Sequence, residues 1–126
     1  MNRYLISTLS CALFLSLTIS ESNAGEILKC EKRTKPAVSR ISVQGEDLTP
    51  GAMYTATVSS GNYSAFALTA ADVAGVVNVD FNSNPNDILA GKTAINPQFI
   101  GSEVDLVITD ALGNRVIETS AVCKTK

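Results

Sequence analysis

A small antiparallel β-sandwich, exported and clamped end to end by a disulfide, is the fold the sequence predicts. Three observations predict it. Apolar and polar residues alternate with period two in short blocks, Gly-, Pro- and Asn-containing turns separate those blocks, and removal of an N-terminal leader leaves Cys30 and Cys123 as the remaining pair of the three cysteines.

The leader is read from its order of residue types. Arg3 supplies a positive start, Leu5 to Ile19 is an apolar run interrupted by Ser and Thr, and Ser22-Asn23-Ala24 places small residues at minus three and minus one of a cleavage site. The expected division is therefore a signal peptide over 1–24 and one domain over 25–126. The apolar run is shorter than the roughly 20 residues a bilayer-spanning helix needs, so cleavage is preferred to anchoring. Cys11 lies inside that run with Thr8 where a lipoprotein signal would want Leu, which argues against a lipid anchor. About 100 residues suffice for one modest core and leave no room for a second domain.

Cleavage also removes Cys11 and sets an even pair in an oxidising compartment. A Cys30–Cys123 bond joins the first strand to the last, and closing a loop of that length is worth roughly 4–5 kcal/mol in the chain-entropy model, with typical measured values of about 2–4 kcal/mol. The expected location is the periplasm or the medium.

The strands follow from the alternation. Ile41 and Val43 mark an early one. Tyr54, Ala56 and Val58 share a face in the next, opposite Met53, Thr55 and Thr57. Val77, Val79 and Phe81 oppose Asn78 and Asp80, and Val104, Leu106 and Ile108 oppose Asp105 and Thr109. The reading places strands at 27–33, 38–44, 52–59, 63–69, 75–82, 93–100, 103–109 and 115–123. Turns fall at Gly45-Glu46-Asp47 with Pro50-Gly51, at Ser60-Gly61-Asn62, and at Asp110 to Asn114, which closes the final hairpin. Helix is poorly supported, because β-branched residues, Ser, Asn and Gly crowd every long window. Leu68 to Val73 or Asp87 to Ala90 offers at most one short turn.

Leu48-Thr49-Pro50-Gly51-Ala52-Met53-Tyr54 reads as L-x-P-G-x-x-Y. This segment resembles the entry to the strand that carries the tyrosine corner of fibronectin type III domains. It covers seven residues, lies early rather than late in the domain, and the chain has no Trp for the family's core position. The resemblance thus implies a local corner in a sandwich, not family membership. Val107 to Val116 is likewise similar to the closing hairpin of many bacterial immunoglobulin-like domains. Together these imply a sandwich of immunoglobulin or fibronectin type III shape.

Composition narrows the chemistry. The chain has no histidine, which removes the usual general base and the commonest transition-metal ligand. With both remaining cysteines oxidised, thiolate catalysis and a zinc site are also excluded. Among carboxylates, Glu46-Asp47 sits in a turn where side chains diverge, and Asp105 and Asp110 fall on opposite faces of a strand. No enzyme and no cofactor is expected. The formal charge is −2, so there is no footprint for nucleic acid and none for a membrane after cleavage. Lys29, Lys32, Arg33 and Lys35 cluster near the mature N-terminus and are read as a solvated edge strand.

Asp80, Asn82 and Asn84 stand at the one-three-five spacing of a calcium loop, and so form a metal candidate. The pattern then fails, with Pro85 at the sixth position and Gly91 at the twelfth. Asn-rich tight turns explain the composition without an ion. Asn62-Tyr63-Ser64 fits a glycosylation triplet, but the short signal and the bacterial type of hairpin point to a bacterial source and a chance match. For binding, the end loops carrying Asn62, Asn82, Asn84 and Asn86 are the candidates, with Tyr63 as the partner-facing aromatic. The expected function is a non-catalytic exported binding or accessory module whose partner is a protein or surface polymer. The alternative is a structural subunit or assembly chaperone of a surface fibre or matrix.

Overall fold

The computed structural model describes residues 26–126; the expected signal peptide, its cleavage site and Cys11 lie outside the described residues. The chain forms β1 (Glu26–Thr34), β2 (Ala37–Gly45), β3 (Met53–Ser60), β4 (Tyr63–Ala70), β5 (Val77–Asn82), α1 (Pro85–Leu89), β6 (Thr93–Ala94), β7 (Glu103–Thr109), β8 (Arg115–Val122) and β9 (Lys124–Thr125). Two sheets result, one in the order β9-β1-β2-β5-β6 and the other β8-β7-β3-β4. The fold is all-β and sandwich-like.

Register puts the alternating apolar residues on the facing sides. In the first sheet Ile41 pairs with Phe81 and Val43 with Val79. In the second, Ala56 pairs with Ile108 and Val58 with Leu106. All of these are buried, together with Val77, Val104 and Ile117. A fully buried side chain of this size contributes about 1.5–3 kcal/mol, so this shared layer is the main reason the two sheets stay together.

The tyrosine corner is present as a hydrogen bond. The backbone N–H of Thr49 donates to the Tyr54 hydroxyl at 2.9 Å, and the Tyr54 ring is buried. The disulfide joins Cys30 to Cys123 across 93 residues of sequence. It sits where the chain leaves β8 in the second sheet and enters β9 beside β1 in the first, so it ties the two layers as well as the two ends.

Two expectations need correction. The strand over 93–100 is only the two-residue β6, which pairs in parallel with β5. Beyond it Pro97 has no N–H to give, the Asn96 side chain accepts from Gln98 N at 2.7 Å, and Phe99 N donates to Asn96 O at 2.9 Å. This turn chemistry wins over β propensity, and the segment crosses from one sheet to the other with Phe99 and Ile100 buried. Secondly, the sheets are mostly rather than wholly antiparallel, because β9 also runs parallel to β1. Of the two short turns the sequence offers, the one at Asp87 to Ala90 is realised as the helix Pro85–Leu89, capped by Asn84 and started by proline, whereas 68–73 continues as strand and then turns.

Two buried serines hold the crossover. Ser39 of β2 donates its hydroxyl to Pro97 O at 2.9 Å and accepts from Ile100 N at 3.2 Å. Ser60 of β3 donates to Glu103 O at 2.7 Å and accepts from Gly101 N at 2.9 Å. One hydroxyl from each sheet thus binds the backbone of the crossover, and that of Ser39 satisfies the N–H of the buried Ile100.

Candidate functional site

The end loops expected to bind come together around that crossover. Gly61 and Asn62 form the β3–β4 turn immediately after Ser60, and Tyr63 begins β4. Asn82 ends β5, its carbonyl accepting from Ile95 N at 3.1 Å, while Ser83 N donates to Ser39 O at 3.0 Å. Asn62 and Asn86 are exposed, and Tyr63 is 40% exposed with its ring 5.7 Å from that of the buried Phe99.

The side chains of Asn82 and Asn84 are engaged internally. Asn82 Oδ1 accepts from Asn84 N at 2.8 Å and its Nδ2 donates to Asp87 Oδ2 at 3.1 Å, while Asn84 Oδ1 accepts from Asn86 N at 2.9 Å. Each residue of the calcium candidate has a side-chain oxygen that accepts a hydrogen bond. Asp80 meets Lys92 Nζ at 2.6 Å, and that hydrogen bond holds the Asp80 carboxyl below the usual carboxylate range and raises the Lys92 amine. These contacts describe a linked series of turns that seats α1.

The basic cluster lies along β1 and the tail. A cleft of about 480 Å³ there is lined by Lys29, Arg40, Lys124 and Lys126 around Glu31. Glu31 lies 2.7 Å from Lys126 and 3.8 Å from Arg40, and the Lys126 hydrogen bond is the main cause of its lowered pKa. Lys32 is tied to Gly101 O at 2.6 Å. Arg40, Lys126 and Lys32 are thereby engaged within the chain.

The more informative feature is β4, which sequence reasoning did not single out beyond Tyr63. This strand is the outer edge of the second sheet, and it pairs with β3 alone. Its eight residues, YSAFALTA, carry no charge. The weighting of its two faces is inverted. Ala65, Ala67 and Thr69 face inward and are half-buried, whereas Phe66 and Leu68 face outward and are each 62% exposed. Met53, 46% exposed, stands on the same outer face next to Ala70. An alternation of small-inward and large-outward residues is legible in the string itself. Its weight emerges only with the strand order, which leaves both Tyr63 and Phe66 of β4 outside the core.

The backbone at this edge can be assigned. The two-residue turn at Gly61-Asn62 makes Ser60–Tyr63 the closing hydrogen-bonded pair, and Ala71 N donates to Ala52 O at 2.9 Å at the other end of the same register. By alternation, Ser64, Phe66, Leu68 and Ala70 turn their N–H and C=O groups away from β3. Beside this edge runs a groove of about 300 Å³, walled by Leu68 and Thr69 on one side and by Asn78, Asp80, Gly91 and Lys92 on the other. Among the described residues the other edges are of a different kind, with β6 and β9 covering β5 and β1 over two residues each. β8 carries Arg115 and Glu118 and a register shift, while β6 and β9 are two residues long. No protein-family model matches the chain, and no curated protein or solved structure matches it either.

Proposed function

We propose that the chain is an exported, non-catalytic binding or accessory module of bacterial origin, a sandwich of immunoglobulin or fibronectin type III shape acting in the periplasm or outside the cell. The disulfide favours an oxidising compartment, and the Thr49–Tyr54 corner and two-sheet layout favour that shape. The absence of histidine favours recognition over catalysis. One observation carries the reading: an uncharged edge strand that exposes Phe66 and Leu68 while turning half-buried alanines inward. Edge strands recognise partners by adding a strand, with main-chain hydrogen bonds giving affinity and alternate side chains giving specificity.

The test compares partner capture by the oxidised protein with capture by a Phe66→Lys, Leu68→Lys variant. Reproducible partners retained by the first and lost by the second are expected. Equal retention by both, or no reproducible partner of any kind, a second copy of the chain included, refutes recognition at this edge. The same unpaired strand favours a second reading, a subunit or assembly chaperone of a surface fibre or matrix. Growth into open-ended polymers in light scattering would select it.

A further inference from the structure

We infer that the occupant of the β4 edge is β4 of a second copy of this chain, joined antiparallel about a two-fold axis so that the two four-stranded sheets become one continuous sheet. The inference rests on the reading that this edge is the recognition surface, and names its partner.

Hydrogen-bond geometry restricts the occupant first. The groups left open belong to Ser64, Phe66, Leu68 and Ala70, and only an extended backbone presents donors and acceptors at matching intervals. Self-complementarity then selects the copy. With Ala67 opposite Ala67 of the second copy, Phe66 meets Leu68 of that copy and Ser64 meets its Ala70, so every outward residue of both strands finds a partner. Sliding the strands by two residues, to set Phe66 against its own equivalent, leaves Ala70 unpaired. The favoured register also keeps the faces aligned. Phe66 and Leu68 of both copies form one apolar row on the outer face, where aromatic–aliphatic cross-strand pairs are stabilising. The alanines meet on the inner face, and their small size lets the backbones approach.

Charge places no obstacle. β4 has no ionisable residue, so antiparallel self-pairing sets no like charges opposite one another, and the whole chain carries only −2. The charges nearest the edge, Asp80 and Lys92 in the groove wall, are paired with each other at 2.6 Å, so the edge offers no complementary charge to a distinct charged partner. Pairing of one edge with itself is isologous and therefore closes at two copies. Among the described residues, β8 carries charge and a register shift, and the outer strands of the other sheet are two residues long, so closure at two copies is expected in preference to fibre growth.

The experiment is sedimentation velocity with light scattering on the oxidised protein from about 1 µM to about 1 mM, alongside residue-resolved amide exchange at both ends of that range. The mass is expected to rise from one chain to two and stop there. The amides of Ser64, Phe66, Leu68 and Ala70 should gain protection with concentration, while those of Ala65 and Ala67, already bonded to β3, should be protected throughout. Phe66→Lys should weaken association by at least about 100-fold. Unchanged protection at Ala65 and Ala67 in that variant verifies that the hairpin is still folded. A mass of one chain at every concentration, a dimer whose new protection lies on another strand, or a dimer untouched by Phe66→Lys overturns the self-pairing. If the chain is monomeric but the lysine variants still abolish capture of another protein, self-pairing falls and recognition at the edge stands; if capture is also unaffected, both fall.

Discussion

Replacement of Ser39 by alanine tests whether the crossover is held by buried hydroxyls or merely by apolar burial of Phe99 and Ile100. Ser39 is fully buried, and its Oγ is the partner of both Ile100 N, at 3.2 Å, and Pro97 O, at 2.9 Å. Alanine removes both bonds and leaves the Ile100 N–H buried without an acceptor, since Ile100 is itself only 5% exposed. Pro97 is exposed and its carbonyl can turn to water, so the loss is dominated by the one orphaned donor. An unsatisfied buried group costs about 1–3 kcal/mol, which sets the expected destabilisation at about 2 kcal/mol. For a domain of about 100 residues this lowers Tm by roughly 10 °C. Urea unfolding followed by circular dichroism gives the free energy, and amide exchange at Ile100 gives the local consequence. Ser64→Ala, an exposed serine on β4, is the control and should change stability by less than about 0.5 kcal/mol. A Ser39→Ala loss as small as that of the control, with Ile100 still protected, would refute the hydroxyl clamp.

Four further outcomes are expected. Tyr54→Phe keeps the buried ring but strips the acceptor from Thr49 N, and should lower stability by about 1 kcal/mol in denaturant unfolding. Gly75→Ala should destabilise by more than about 2 kcal/mol in the same assay, because Gly75 has φ +75° and an added Cβ would fall on the Leu48 carbonyl oxygen. Asp110 accepts from the backbone of Asn114 and Leu112 at 2.9 Å each, and chiefly the Asn114 bond holds its carboxyl below the usual range. A depressed carboxylate contributes stability that is complete above its unfolded pKa and lost as pH falls through the folded one. Asp110→Asn should therefore flatten the decline in Tm below about pH 4 and leave its shape near neutrality unchanged. Reduction of Cys30–Cys123 should lower stability by about 2–4 kcal/mol, less than the loop-closure value for 93 residues, as read by unfolding with and without reductant after alkylation.

The alternation of Tyr54, Ala56 and Val58, of Val77, Val79 and Phe81, and of Val104, Leu106 and Ile108 was enough to place strands and name the core. A period of two is a local property, and these faces have one buried side each. The cysteine pair was legible on the expectation that Cys11 leaves with the leader, since two thiols admit one pairing. The crossover at 95–102 was not, because Ile95, Phe99 and Ile100 read as strand until Asn96 and Pro97 are seen to bond within a turn and Ser39 and Ser60, distant in sequence, are seen to receive it. Nor were the parallel partners β6 and β9, whose two-residue length carries no periodic signal. For the candidate site, the sequence supplied Tyr63 and the Asn-rich turns, but the roles of Asn82 and Asn84 follow from which backbone donors fold back onto them. The sequence by itself determined which residues alternate, where the chain turns and which sulfurs can join, because those depend on neighbours along the chain. Only the tertiary structure decided that β4 is an edge with its larger side chains outward, because strand order depends on which distant segments hydrogen-bond to one another.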